Sequence, residues 1–175
     1  MRIFMIISML ILGQYSISAQ NNANINSQKN TNGELRFELQ LENQTFQLDK
    51  YENWIKSTDH SISGDIIRIN SEEFIYKGKT LIYMSKKPST FQTEILFTLG
   101  VTQNSTGTKY VIKDIRFKSI PEYGKQGTPA LFTNCSDWFS DNKLYKKSGK
   151  MRSLNENLMN NSTKFAEELL LSFAD

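Results

Sequence analysis

The feature that most constrains the fold is a pair of strand-like segments joined by a short polar turn, between Phe91 and Ser119. In the first segment apolar and polar residues mostly alternate, with Leu96 as the exception, and this period of two is that of a β-strand with one buried face. The polar segment Gln103–Thr108 contains Gly107, which can adopt a positive φ, and it predicts a hairpin turn. A fold built on this hairpin is an antiparallel sheet. Its apolar side would comprise Phe91, Ile95, Phe97, Leu99 and Val101.

The return segment, from Lys109 to about Ser119, follows the alternation less well. Its odd positions include Val111, Ile115 and Phe117, with Lys109 and Lys113 as exceptions, and its even positions are polar apart from Tyr110 and Ile112. We interpret most of the charged residues as solvated, with cross-strand ion pairs that contribute roughly a few tenths to 1 kcal/mol each. The functional alternative is that Tyr110 and Arg116 line a binding surface on the exposed face of the sheet.

The segments before the hairpin predict further strands and one helix. Leu35–Leu41 alternates and predicts a half-buried strand. The period then changes, which predicts a helix from Thr45 or Asp49 to about Ser57, held on the sheet by its two aromatic residues. Two more strand-like segments follow, "DIIRIN" and "EFIYKGKTLIYMS", and the second is either one irregular strand or two strands. Pro88 lies in the break that precedes the hairpin.

The last third of the sequence predicts a loop and helices. Pro121–Ala130 is a loop by its proline and glycine content. The segment "NCSDWFSDNKLY" suits either one amphipathic helix or an extended flap. Beyond it, the apolar spacing predicts a short helix, a break at Asn160–Ser162, and a final helix over Thr163–Phe173. The order of elements predicts an α+β fold in which helices pack on one face of an antiparallel β-meander.

The N-terminal residues predict export. Residues 1–19 have the charged start, apolar centre and small-residue end of a secretory signal peptide, with cleavage after Ala19 or, alternatively, Ser18. The apolar centre is shorter than the roughly 20 residues of a membrane span, so we expect no stable span after cleavage; an uncleaved anchor is the alternative. Residues 20–33 are rich in asparagine and predict a flexible lead, so we expect a single domain over 34–175. The predicted location is periplasmic or secreted.

The composition argues against several classes of function. The net charge is +3, and removal of Arg2 with the leader lowers it by one, which is too small to favour nucleic acid. Cys135 is the only cysteine and His60 the only histidine, and the sequence around neither has a recognised catalytic signature. We expect Cys135 to be buried and structural. No nucleotide-binding loop or metal-ligand spacing occurs, so we predict no catalytic residues, metal site or cofactor.

Trp138 is a further candidate binding residue. It lies beside Phe139 in the polar segment "SDWFSDN". Adjacent residues do not share a face of a strand and diverge on a helix. One of the two aromatic rings is therefore expected to be exposed, where it can contact a partner or a glycan.

The order of these elements resembles a known family. The apolar leader ends in Ala-Gln, a charged strand precedes the Trp-containing helix "YENWIKS", and the meander carries "FTLGVTQNSTGTKYVIKDIRF". In these features the chain resembles, over about Leu35 to Phe173, the domain of unknown function with a TBP-like fold that is common in secreted proteins of Bacteroidota. The resemblance implies an α+β fold of TBP-like shape and transfers no catalytic residues. It does not imply DNA binding, because fold does not fix function.

These observations favour an exported, non-enzymatic binding or envelope-associated domain. Its partner would be a small molecule or an envelope protein, held by the exposed sheet face or by the Pro121–Ala130 loop. Two alternatives belong to other classes. One is a hydrolase with an unconventional carboxylate-based site, and the other is an inhibitor or structural envelope component that docks by strand addition at a sheet edge.

Overall fold

The computed structural model describes residues 25–57, 61–121 and 129–174. The predicted signal peptide, residues 1–19, lies outside these ranges, as do His60 and most of the Pro121–Ala130 loop.

An antiparallel sheet of seven strands forms the centre of the described fold. In the order β1-β2-β6-β5-β4-β3 each strand pairs with its neighbour, and β7 pairs with β6. The strands are β1 (Ile25–Lys29), β2 (Leu35–Glu42), β3 (Ser63–Ile69), β4 (Glu73–Tyr83), β5 (Gln92–Asn104), β6 (Gly107–Lys118) and β7 (Phe132–Asn134). The helices are α1 (Leu48–Lys56), α2 (Ser136–Phe139), α3 (Asp141–Leu144) and α4 (Ser153–Leu171). The predicted α+β fold with an antiparallel meander is confirmed, and the segment over β4 is one continuous strand.

One face of the sheet is buried under the helices. Phe97 of β5 is 2% exposed, and its ring lies 5.1 Å from that of Phe165 on α4. The ring of Phe173, just after α4, lies 6.0 Å from the ring of Tyr51 and 5.5 Å from that of Tyr110. This aromatic cluster joins both long helices to the sheet, and burial of such large apolar rings is the main stabilising contribution here. We call the opposite side of the sheet the open face, because no described helix covers it.

The prediction of a flexible lead over residues 20–33 is wrong for residues 25–29. Residues Ile25–Lys29 form β1, which pairs antiparallel with β2. This strand has no alternating apolar pattern because it lies at the edge of the sheet and is mostly exposed, and Ile25 is its one residue packed against the core. Backbone hydrogen bonds hold such an edge strand without an alternating apolar pattern.

The predicted break at Asn160–Ser162 is also wrong, since α4 runs through it. Ser162 is buried, and its hydroxyl donates to the carbonyl oxygen of Leu158 at 2.8 Å. The side-chain amide of Asn161 donates to the carbonyl oxygens of Tyr83 and Ser85, at 2.6 and 3.0 Å. These contacts with the helix backbone and the end of β4 outweigh the low helix propensity of asparagine and serine.

The hairpin differs from prediction in its turn and in one residue. The strands extend to Asn104 and from Gly107, so only two residues separate them. Gly107 has φ +148°, and a Cβ there would lie 2.1 Å from the carbonyl oxygen of Leu41, so glycine is required. Phe91 precedes β5 and is 45% exposed, so its predicted burial is wrong.

A β-bulge in β6 explains the irregular alternation of the return strand. Leu96 pairs with Arg116 but Thr98 pairs with Lys113, so two residues of β6, Asp114 and Ile115, lie opposite Phe97. Asp114 adopts φ 55°. The extra residue reverses which side chains face the helices along β6. The buried side chains of β6 are therefore Tyr110 and Ile112 before the bulge, and Ile115 and Phe117 after it.

Candidate functional site

The open face contains two neighbouring rows of side chains at its centre. One row crosses four strands as Lys79, Leu96, Arg116 and Asn134. The adjacent row crosses three strands as Lys77, Thr98 and Lys113. Directly paired residues on adjacent antiparallel strands project from the same face. Four cationic side chains therefore surround Leu96 and Thr98.

These rows form the floor of a depression of about 860 Å³, which we call the open-face cleft. It lies where β6 bulges, between the start of β2 and the end of β7, because these two strands pair with different parts of β6. Between these two pairings, β6 has no hydrogen-bonded strand beside it, so the surface of the sheet is lower there. The cleft is lined on its floor and rim by Arg36, Lys77, Lys79, Leu96, Lys113 and Arg116.

Most of the surrounding charges are paired. Glu38 accepts from Arg36 at 2.6 Å and lies 2.9 Å from the Lys109 ammonium group. The hydrogen bond from Lys109, followed by that from Arg36, holds the pKa of Glu38 below its usual value against the effect of burial. Glu94 lies 3.5 Å from Lys118 and 3.9 Å from Lys79. Cross-strand ion pairs were predicted for Lys109, Asp114, Arg116 and Lys118, and they are confirmed for Lys109 and Lys118. Among the described residues Asp114 and Arg116 form none, so the prediction is wrong for these two.

Three cations of the cleft have no such partner. Lys77, Lys113 and Arg116 are exposed, and within the described residues none lies in a salt bridge. Three carboxylates are nevertheless present in the lining: Asp65 pairs in register with Lys77, Asp114 lies in the bulge, and Glu34 precedes β2. The positive charge of the cleft floor is therefore only partly offset.

Tyr110, predicted to lie on the exposed face, is buried beneath the helices instead. It is 1% exposed, and its hydroxyl lies 3.0 Å from that of Tyr51 and donates to Gln44 Oε1 at 3.1 Å. Burial raises the pKa of both tyrosines, so both remain neutral at physiological pH. The placement was wrong because the bulge, which lies after Tyr110, reverses the alternation used to assign faces.

The other two predicted binding residues lie on different sides of the sheet. Arg116 is exposed in the open-face cleft, as the prediction requires. Trp138 is half-buried on the helix side, where its ring packs edge-on against Phe117 at 6.4 Å and its indole nitrogen donates to Thr133 Oγ1 at 2.8 Å. Its neighbour Phe139 is fully buried. Tyr110, Arg116 and Trp138 therefore do not form one site.

Cys135 is buried at the start of α2 and helps to hold the bulge. Its thiol is 3% exposed and donates to the carbonyl oxygen of Ile115 at 3.2 Å. Burial raises the pKa of this thiol to about 12, so it is not a thiolate at neutral pH. The expectation of a buried cysteine is confirmed.

A second depression, of about 650 Å³, lies on the helix side between α1 and α4. Trp54 and Phe165 form its apolar walls, and Lys164 and Glu168 lie on its rim. Ser57 and Ser61 also line it. The open-face cleft contains Arg116, the predicted binding residue that is exposed, and we take this cleft as the candidate site.

Two classes of feature are missing from the described part of the chain. Among residues 25–57, 61–121 and 129–174, acidic, histidine and cysteine side chains form no group that could hold a metal ion. The helices in these ranges are also too short or too polar to cross a bilayer.

Sequence reasoning identified Arg116 and missed Lys77 and Lys113 as its companions. Strict alternation placed Lys113 on the apolar side of the return strand, opposite to Arg116. The available signal was the reversal itself: Tyr110 and Ile112 break the pattern at even positions, and Ile115 and Phe117 resume it at odd ones. One inserted residue between Ile112 and Ile115 places the apolar residues of both segments on the same face of the sheet.

Comparison with known proteins identifies the fold. The chain is similar to a DUF4468 family protein from Bacteroides ovatus, with 15% identity, a TM-score of 0.55, and coverage of 81% of this chain and 85% of that one. It is similar to a TBP-like protein from Parabacteroides distasonis, with 15% identity, a TM-score of 0.56, and coverage of 81% and 90%. No family model and no curated protein matches the sequence. The fold is therefore TBP-like, in agreement with the resemblance drawn from the sequence.

Proposed function

We propose that this protein is an exported, non-enzymatic domain that binds a small molecule in its open-face cleft. The observation that carries the proposal is the cleft itself, a depression of about 860 Å³ lined by exposed cations on an otherwise well-paired sheet. A surface depression of this volume lies within the range of ligand sites. The apolar core lies on the other side of the sheet, so a ligand could occupy the cleft without disturbing the packing.

A binding role suits the chemistry of the nearby residues. The cleft floor offers ammonium and guanidinium groups, which donate hydrogen bonds and hold ligands. Cys135, which lines the cleft, is a buried neutral thiol, and this gives no support to a cysteine enzyme. A hydrolase that uses rim carboxylates such as Asp65 and Asp114 is the alternative, and loss of a hydrolytic activity on substitution of one of them would favour it.

Docking by strand addition has less support. The outer edge of β3 exposes Ile66 and Ile67, but the pairing of β3 with β4 shifts between Ile66 and Arg68. A bulge at an edge strand twists the edge and discourages the addition of another strand.

Export is supported by the leader over residues 1–19, with its apolar centre and small-residue end. The proposal expects a mature N-terminus at Gln20, or at Ala19 if the alternative cleavage occurs. N-terminal sequencing of the protein isolated from its host would test this. An N-terminal Gln20 can cyclise to pyroglutamate, which blocks sequencing, and mass spectrometry would identify that form. An intact Met1 would contradict export by cleavage.

The binding proposal can be tested by native mass spectrometry of the protein released gently from its host. We expect a reproducible additional mass of small-molecule size. The matched variant is Gly100→Trp, since Gly100 lies on the open face between Ile75 and Val111 in register. A Cβ at Gly100 would have nothing within 4 Å, and its φ is not positive, so a larger side chain fits without strain. Gly100 lies two residues from Thr98 on the same face of β5, so we expect the indole ring to extend over the floor of the cleft.

The Gly100→Trp variant should lose the additional mass and keep its thermal unfolding midpoint. The control is Ser148→Trp, because Ser148 is exposed in the turn before α4. A mass that persists in Gly100→Trp would place the ligand elsewhere. A wild-type protein without any additional mass would contradict tight binding.

A further inference from the structure

We propose that the ligand of the open-face cleft carries a carboxylate or phosphate group, and that Lys77, Lys113 and Arg116 hold this anionic group. The inference rests on the proposed binding function and adds the chemical class of the ligand.

The register of the sheet brings the three cations together. Lys77 and Lys113 each pair with Thr98, from opposite sides. Adjacent strands lie about 4.8 Å apart, so the backbones of the two lysines are roughly 10 Å apart. Arg116 pairs with Leu96, two residues along β5 from Thr98 on the same face. Lysine and arginine side chains are long enough to converge on a single anion over Thr98 from these three positions.

The bulge is what puts Lys113 and Arg116 on one face. In a regular strand, residues three apart project to opposite faces, because side chains alternate. The additional residue between them gives both an outward position. Ile115, which lies between Lys113 and Arg116, still points into the core and is buried. A bulge at this place therefore gathers positive charge on the cleft floor without opening the core.

The charge of these three residues is available to a ligand. Their neighbours are in ion pairs: Arg36 and Lys109 share Glu38, and Lys79 and Lys118 share Glu94. The three cleft cations lie in no salt bridge with any described residue, although Glu34, Asp65 and Asp114 also line the cleft. The five basic side chains of the lining exceed these three carboxylates, and a concave surface with an excess of positive charge concentrates anions.

The shape of the site also fits an anion attached to a larger body. The planar guanidinium of Arg116 can donate two parallel hydrogen bonds to a carboxylate or phosphate, and the lysines can neutralise the remaining charge. Next to them lie the half-buried side chain of Leu96 and the empty space over Gly100. The body of the ligand would rest on this flat, partly apolar part of β5.

The test is a titration of the isotope-labelled protein followed by the backbone amide signals in NMR spectra. The probes are inorganic phosphate and glucuronate, which present the two anionic groups, and glucose, which is the neutral counterpart of glucuronate. We expect both anions to shift the amide signals of Lys77, Thr98, Lys113 and Arg116. Glucose should leave these signals unchanged.

The decisive variant is the double substitution Lys113→Gln with Arg116→Gln. It should raise the dissociation constant of the anion that binds more tightly by about tenfold or more, because it removes charge-assisted hydrogen bonds. The matched control is Lys147→Gln with Arg152→Gln. It removes the same charge from two exposed residues outside the cleft, and it should change the dissociation constant by less than about twofold.

Three outcomes would overturn the inference. The first is equal weakening by both double variants, which would indicate attraction by net charge alone. The second is equal binding of glucose and glucuronate in the cleft. The third is that neither anion shifts the cleft signals. The second and third would leave the proposed function intact if the additional mass in native spectra is still lost in Gly100→Trp, so the two proposals can fail separately.

Discussion

At the scale of single residues, Tyr110 contributes both apolar surface and a hydrogen bond to the core. Its ring stacks near Phe173, and its hydroxyl joins Tyr51 to Gln44. If one partner of a buried hydrogen bond is removed, the other stays buried without a partner and without water. This costs more free energy than the hydrogen bond contributes in net terms. The pair of tyrosines therefore fixes α1 on the sheet in one position.

Replacement of Tyr110 by phenylalanine should lower the free energy of unfolding by about 1–2 kcal/mol, because Tyr51 and Gln44 lose a hydrogen-bond partner. Urea unfolding at neutral pH would measure this. Tyr83→Phe is the control, since Tyr83 is 38% exposed, and it should change stability by less than about 0.5 kcal/mol. Equal losses in both variants would show that the buried hydroxyl pair contributes nothing specific.

Cys135 predicts a pH dependence of stability. The thiol has a pKa of about 12 in the folded protein, against 9.0 for an unperturbed thiol. Below pH 9 it is neutral in both states and its contribution is complete. As the pH rises from about 9 to about 12, the unfolded chain releases a proton that the folded protein keeps, so stability falls by up to about 1.4 kcal/mol per pH unit from this group.

Cys135→Ala removes this component. The difference in unfolding free energy between wild type and variant should be constant up to pH 9 and should then shrink in urea unfolding series at increasing pH. The buried tyrosines titrate in both proteins and cancel in the difference. Parallel curves for the two proteins up to pH 11 would contradict the burial of the thiol.

At the scale of elements, the bulge in β6 decides which side chains face which side. The sequence predicted the hairpin, α1 and the buried side of β5, because apolar residues there keep one period. The sequence-based assignment of faces was wrong for Tyr110 and Lys113. Strict alternation was assumed along the whole of β6, and an inserted residue shifts every side chain before it to the opposite face. Sequence reasoning also failed on β1 and on the middle of α4, because the pairing of β1 with β2 and the hydrogen bonds of Asn161 with Tyr83 and Ser85 are not local in sequence.

The bulge can be tested through the backbone of Asp114, which has φ 55°. Asp114→Val should destabilise by roughly 1–3 kcal/mol, because a β-branched residue is strained there. Asp114→Gly should stay within about 1 kcal/mol of wild type, since relief of strain is offset by the entropy of the unfolded chain. Lys113→Val is the control, and thermal unfolding is the measurement. Equal effects of valine at both positions would argue against the positive φ.

At the scale of the whole molecule, the two faces of the sheet have different physical roles. The helix side contains the aromatic core, and the open face contains charged rows and the cleft. Substitutions on the first side should therefore alter stability, and substitutions on the second should alter binding. Because of this division, the side chains that line the cleft can be changed without loss of the fold.

Phe97→Ala should lower the free energy of unfolding by about 3–5 kcal/mol, because it leaves a cavity against Phe165. Arg116→Ala should cost less than about 1 kcal/mol, because its side chain is solvated. Urea melts of the two variants would compare them. Losses of equal size would contradict the assignment of the two faces.

The position of Phe173 makes completion of the core depend on the last described helix. Its ring closes the cluster formed by Tyr51, Trp54 and Tyr110, and it comes later in the chain than every described strand. A chain that leaves the ribosome, or threads through a membrane pore, from its N-terminus cannot complete this core until α4 has emerged. Until α4 docks, the apolar rings on this face of the sheet remain exposed to water, so the full stability of the fold depends on the last residues that the structure describes.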